Sequence, residues 1–161
     1  MSAKDEAAAK AYVERLVTYR PRTVAEVRRR LAAKGFPPEV ARAALSYAED
    51  AGLVNDALFA RLYAEDRVLS RPCARRLIAQ ELRERGVEAM LADQAALAAL
   101  SDLTEADLAR RALAARMPLW QNLAPDVARN RAAAFLLRRG FSPALARQIV
   151  DEALGEGWTS G

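Results

Sequence analysis

Apolar residues recur three and four positions apart along almost the whole chain, with charged residues between them, which is the spacing of helices packed on one face. Residues 5–20 predict a first helix with Tyr12, Val13, Leu16 and Val17 on one side and Pro21 after its end. Thr23-Val-Ala-Glu26 is a capping box for a second helix, which buries Val24, Val27 and Leu31 and stops at Gly35, suited to the left-handed position past a helix end. A third helix opens at Pro37-Pro38-Glu39, packs Val40, Ala44, Leu45 and Tyr47, and ends at Gly52. Asn55 caps a fourth, with Leu58, Phe59, Leu62 and Tyr63 as its apolar stripe. Pro72 suits the first turn of a fifth, whose buried face includes Ile78 and Leu82. A sixth runs from about Glu88 to Leu100, and Thr104-Glu-Ala-Asp107 caps a seventh carrying Leu108, Leu113 and Met117. Pro118 and the stretch 121–125 break the pattern before an eighth helix, ending at Arg139 and packing through Phe135 and Leu136. Ser142-Pro143 starts a ninth, and Gly155 to Gly161 read as a frayed end in which Trp158 is the residue suited to docking. No segment alternates like a strand, and no Asn-Gly hairpin turn occurs.

The helices repeat as a set. LAAKGFPPEVARAAL at 31–45, LRERGVEAMLADQAA at 82–96 and LLRRGFSPALARQIV at 136–150 share one frame. Each has Gly at the same place (Gly35, Gly86, Gly140), Leu four residues earlier (Leu31, Leu82, Leu136), an apolar residue five later (Val40, Leu91, Leu145) and Ala six later (Ala41, Ala92, Ala146). Three such segments in phase argue for a tandem unit of the helix, tight turn, helix kind. The expected fold is all-α, three tandem three-helix repeats at 5–52, 55–101 and 104–155, laid in an elongated row that is free to curve. A compact chain of 161 residues has a radius of gyration of about 15 Å, and a row of small bundles exceeds it.

Composition narrows the function. The 161 residues include 37 Ala and only 6% aromatics, so the cores are built from small aliphatic side chains. There is no His and one Cys, which removes His-dependent triads, His metal ligands and thiolate zinc sites. No Gly-rich phosphate loop is present, so neither an enzyme nor a cofactor is expected, and no metal. Cys73, after Pro72 at the predicted helix start, has a position where a thiolate is stabilised, but a small buried helix residue is the plainer reading. No secretory leader and no membrane-length apolar run is visible, which with the single Cys suggests a cytoplasmic protein.

Charge then points to a partner. The basic residues are 22 Arg against 3 Lys, for a net charge of +4. They gather on the middle helix of each set: residues 22–34 carry a net +4, and 71–85 and 126–139 each +3, whereas 39–56 carries −3. Arg28, Arg29, Arg30 and Lys34 are the candidates in the first unit, Arg76 and Arg83 in the second, Arg131 and Arg138 in the third. Helical geometry sets Arg76, Gln80 and Arg83 on one stripe away from Ile78 and Leu82, and Arg131 with Arg138 on another, close beside Phe135. For any single arginine a solvated face with local pairs, such as Glu81 with Arg85, is the plainer reading; segregation in three units favours binding a polyanion along its length. Tyr47, Phe59, Tyr63 and Phe135 sit at core spacing, and Trp120, beside a break, is either exposed or docked. Base-specific readout is therefore not expected.

The run Gly52-Leu-Val-Asn-Asp56, then Phe59-Ala60, then Glu81-Leu82 through Gly86-Val87 resembles the signature of the RecX family. Arg30-Leu31 through Gly35-Phe36, and Leu137-Arg-Arg-Gly-Phe141-Ser142, are similar to that family's first and last repeats, so the likeness covers about 10–155. Before the fifth helix the family has a Gly turn where this chain reads Ser70-Arg71-Pro72-Cys73. The resemblance implies three tandem three-helix repeats and a non-enzymatic, monomeric regulator of the RecA recombinase, acting in homologous recombination, DNA repair and the SOS response. Such proteins lie in the groove of the recombinase–DNA filament and restrain strand exchange, co-protease activity and ATP hydrolysis. The implied partners are that filament and DNA, single-stranded and in some cases double-stranded, with no membrane. Two readings of the residues stay open beside it: a helix-turn-helix protein acting on duplex DNA directly, and a helical-repeat adaptor without nucleic acid.

Overall fold

The computed structural model describes residues 3–155, with side chains from Asp5 onward, so Trp158 lies outside the described residues. Within them the chain forms α1 (Ala3–Tyr19), α2 (Val24–Lys34), α3 (Pro38–Asp50), α4 (Asp56–Ser70), α5 (Arg75–Glu84), α6 (Ala89–Ala98), α7 (Glu105–Arg116), α8 (Pro125–Arg138) and α9 (Pro143–Leu154), with a 3-10 turn at Met117–Leu119. No described residue is in a strand. The starts follow the cap chemistry. Thr23 and Thr104 close reciprocal capping boxes with Glu26 and Asp107, and Asn55 and Ser142 accept from Leu58 N–H and Leu145 N–H.

The extensive helix contacts all fall inside sets of three: α1 and α2 against α3, α4 and α5 against α6, α7 and α8 against α9. The buried apolar residues form two clusters. Unit 1 closes around Val13, Val27, Leu31, Val40 and Ala44, while units 2 and 3 share a core running from Ala60 through Ile78 and Leu82 to Leu136 and Phe141.

Two expectations about the middle of the chain are corrected. Leu58 and Leu62 are exposed and Phe59 and Tyr63 only half-buried; the buried stripe of α4 is Ala60, Ala64 and Val68. It faces the buried Ala92 and Ala96 of α6, and helices meeting through alanines approach closely, which leaves larger side chains at the edge. The fifth helix starts at Arg75, so Pro72 and Cys73 lie in an extended link before it. Where the Gly turn is missing, Arg67 Nη1 donates to Arg71 O, and Arg139 Nη1 donates to Pro72 O at 2.8 Å. Cys73 is fully buried, and burial pushes its thiol up to about 11, so it is a packing residue and not a stabilised thiolate.

The joints between units repeat as well. Gly86, in the α5–α6 turn, lies on the start of α2: Thr23 Oγ1 donates to Arg85 O at 2.6 Å, and a Cβ added at Gly86 would stand 2.2 Å from Ala25 Cβ. Gly140, in the α8–α9 turn, lies on the start of α5: Ala74 N–H donates to Arg139 O at 2.9 Å, and an added Cβ would meet Leu77 Cβ at 3.1 Å. Asp56 Oδ1 also accepts from Val24 N–H at 2.9 Å, tying α4 to α2.

Candidate functional site

On α2, burial of Val27 and Leu31 turns Arg28, Arg29, Arg30 and Lys34 outward, and all four are exposed. Among the described residues none of them forms an ion pair, and Lys34 Nζ stands 5.6 Å from the centre of the Tyr12 ring. Arg22, counted with them by charge, turns inward. It is 5% exposed and its Nε donates to Leu16 O at 3.4 Å, near the end of α1. Burial first, and then Arg20 and Arg30, hold its guanidinium below its ordinary range.

Unit 2 uses four of its arginines, Arg67, Arg75, Arg76 and Arg83, in bonds within the chain. Arg75 is buried and donates to the carbonyls of Ala96, Ala99, Leu100 and Leu103 at 2.5–3.0 Å. It closes the C-terminal end of α6, where Leu100 takes a φ of 45°, a conformation unfavourable for a branched side chain. Arg76 is exposed, but its Nε donates to Gly140 O across the joint with unit 3. Arg83 pairs with Asp93 at 3.3 Å, both half-exposed, and Gln80 donates to Glu84. The predicted stripe therefore exists, but each of its members already has a partner. Glu81 pairs with Arg67 at 2.9 Å, not with Arg85, and also accepts from Tyr63 Oη at 2.8 Å. Burial alone would raise its carboxyl, but the bonds from Arg67 and Tyr63 outweigh that and hold it below the usual range. Arg85 instead lies 4.7 Å from the Tyr63 ring centre.

A second concentration of positive charge lies at the joint of units 2 and 3 and on α8 of unit 3. Arg139 and Arg116 stand 4.7 and 4.9 Å from the ring centre of the buried Phe135, which Trp120 meets edge-on at 5.9 Å. Burial, followed by the neighbouring guanidinium groups of Arg67, Arg116 and Arg71, holds Arg139 below its ordinary range. Arg131 and Arg138 are exposed and, with Arg116, Asn130 and the edge of Trp120, line one open groove of about 590 Å³. No carboxylate lines it among the described residues. Arg129, by contrast, is neutralised by Asp151. Arg116 lies at the end of α7, outside the basic middle helices, so helical charge did not single it out, while Arg71, within the basic stretch 71–85, sits just past the end of α4. The half-buried α1 residue Tyr12 and the buried Phe135 and Trp120 serve as ring faces and packing for these cations, not as platforms for bases.

Among the described residues no cluster of three His, Cys, Asp or Glu side chains could hold a metal, and no helix is long and apolar enough to cross a membrane. What the fold and its surface define is a tandem three-helix-repeat protein presenting arginine-rich faces.

The comparisons give this class its family. The chain matches the family descriptions "RecX, first three-helix domain" over 9–47, "RecX, second three-helix domain" over 55–95 and "RecX, third three-helix domain" over 104–150. It is 38% identical over 148 residues to the regulatory protein RecX of Streptomyces coelicolor, covering 92% of this chain and 78% of that one. It is 36% identical to that of Thermobifida fusca, covering 92% and 80%. The crystal structure of RecX from Lactobacillus salivarius shares the fold with a TM-score of 0.76 at 19% identity, over 94% of this chain and 97% of that one. This chain belongs to the RecX family of regulatory proteins.

Proposed function

We propose that this protein binds the filament that a RecA-type recombinase forms on DNA and restrains its ATP hydrolysis, strand exchange and co-protease activity, without catalysing a reaction itself. The observation that carries the reading is the arginine surface that stays uncompensated after the protein's own hydrogen bonds are counted. Its densest groupings include Arg28, Arg29, Arg30 and Lys34 on unit 1 and Arg131 and Arg138 with Arg116 on unit 3. Two cationic faces separated by a unit in which Arg67, Arg75, Arg76 and Arg83 are internally bonded suit a long anion held at intervals. Guanidinium groups make forked contacts with phosphate oxygens, and each phosphate neutralised releases counterions. Arg76 and Arg83 act as secondary contacts that must first leave Gly140 O and Asp93. The family resemblance supports the identity of the partner, a monomer in the filament groove, and DNA as part of the surface bound. Reading base edges is not favoured, because among the described residues a single exposed amide, Asn130, accompanies the unit 3 arginines in their groove.

The test is binding of the protein to recombinase filaments on single-stranded DNA, followed by fluorescence anisotropy across a salt series. Replacing Arg131 and Arg138 with Glu should weaken binding at least about ten-fold and flatten the salt slope by about 1–2. Unchanged affinity and slope in that variant and in Arg29→Glu/Arg30→Glu would remove both faces from the interface.

A further inference from the structure

Two of the three glycine turns are docked and the third is bare. At the joints described above, the carbonyl-bearing end of one helix sits on the N-terminal turn of another: Arg85 O takes Thr23 Oγ1, Arg139 O takes Ala74 N–H and Gly140 O takes Arg76 Nε. The negative end of one helix dipole meets the positive end of another, and donors that a helix start leaves unbonded are used. The apolar residue after each glycine is sealed by the joint, Val87 to 3% and Phe141 to 1% exposure. Among the described residues, the turn of unit 1 departs from this pattern. Gly35 keeps the same left-handed backbone, with φ 96°, yet a Cβ added there meets nothing within 4 Å, and Phe36 is only half-buried. Beside this turn α2 and α3 enclose an apolar groove of about 490 Å³ floored by Ala32, Ala41 and Leu45 and rimmed by Arg28 and Arg42.

We propose that the Gly35 turn and this groove dock the N-terminal end of a helix belonging to the protein partner. The two internal joints state what fits: a small residue in the first helical turn against the glycine, and donors aimed at the carbonyls of Lys34 and Gly35. The rim adds a requirement for carboxylates facing Arg28 and Arg42, and acidic residues are the ordinary first-turn residues of a helix. A second copy of this chain does not fit. Its free end is α8, where Ala128 stands in the frame position of Ala74, but the Ala128 N–H is already bonded to Ala124 O inside an extra turn of helix. Arg131 stands in the position of Leu77 and would face Lys34. The inference rests on the filament reading and names the part of the recombinase touched: a helix start, not the DNA.

Cross-linking from the groove tests it. Ala32 is exposed, and the native Cys73 is buried with its thiol pushed up to about 11, so Ala32→Cys can be labelled selectively with benzophenone maleimide. The labelled full chain is irradiated on recombinase filaments formed on single-stranded DNA, and the adduct is mapped by mass spectrometry. The expected adduct lies in the first turn of a recombinase helix bearing Asp or Glu. Ala32→Trp and Arg42→Glu should each weaken filament binding by about ten-fold or more and leave binding to naked DNA unchanged. Adducts on DNA, on a strand or on another copy of this chain, no adduct despite binding, or full affinity in both variants would each overturn the docking proposal and leave the filament reading standing. Failure of the unmodified protein to bind filaments would overturn both.

Discussion

Replacing each repeat glycine with alanine separates backbone conformation from docking. At Gly35, where φ is 96° and an added Cβ meets nothing, the only cost is the left-handed backbone, about 1 kcal/mol once the alanine's smaller unfolded-state entropy is credited. At Gly140 the same cost is joined by contacts of 3.1 and 3.2 Å with Leu77 and Ala74, which yield by a few tenths of an ångström, for a total of about 2 kcal/mol. At Gly86 the new Cβ would lie 2.2 Å from Ala25 Cβ, so the joint must open by more than an ångström. That forfeits the Thr23–Arg85 bond of 2.6 Å and adds overpacking, for about 3–4 kcal/mol in all. Urea unfolding followed by far-UV circular dichroism reads the order directly, with Gly86→Ala worst, then Gly140→Ala, then Gly35→Ala. A second check uses Ala25→Gly, which removes the clashing atom. Alone it weakens α2 by about 1 kcal/mol, but combined with Gly86→Ala it should recover stability, giving a coupling of at least about 1 kcal/mol. Three equal losses, or additive effects of Ala25→Gly and Gly86→Ala, would refute the docked-turn geometry.

Other outcomes follow from particular side chains. Arg75→Met should cost about 3 kcal/mol in urea unfolding, because it strands the four carbonyls at the end of α6, and Arg75→Lys should restore little, since an ammonium cannot span them. Cys73 and Tyr63 keep their protons in the fold, burial pushing them to about 11 and about 12. Their contribution is complete below about pH 9 and is lost as pH rises through those values, so thermal stability should fall in that window, and less so in Cys73→Ala. Glu81 works in the opposite direction. Its carboxyl is held below the ordinary range, so its contribution is present above the unfolded carboxyl's titration and lost as pH falls below it; Glu81→Gln should flatten the acid limb of a stability–pH curve. Arg131→Glu/Arg138→Glu should leave the unfolding midpoint within about 0.5 kcal/mol of the parent, because neither side chain touches the core.

Much of the architecture was legible because helix caps and repeat glycines are local signals. Thr23, Asn55, Thr104 and Ser142 mark helix starts through their own side-chain chemistry, and Gly35, Gly86 and Gly140 mark the turns through a backbone need that few other residues meet. Packing was less legible where alanine carries it. On α4 the larger Leu58 and Leu62 look like the core, yet close helix approach selects the Ala60–Ala64 face, a preference visible only when α6, equally rich in alanine, is seen opposite. The charged surface was legible in net sign and not in detail. Arg22, Arg75 and Arg129 read as basic surface but are taken by Leu16 O, the end of α6 and Asp151. Arg116 joins Arg131 and Arg138 only through the fold. Which arginines remain uncompensated depends on carbonyls and carboxylates distant in sequence, which helical periodicity does not report.

The most direct test of the central proposal is ATP hydrolysis by the cognate recombinase on single-stranded DNA, titrated with this protein and with Arg29→Glu/Arg30→Glu/Arg131→Glu/Arg138→Glu. The account predicts loss of hydrolysis at substoichiometric amounts of the parent and none with the variant at equal helicity. Hydrolysis and strand exchange both untouched by the parent would contradict it.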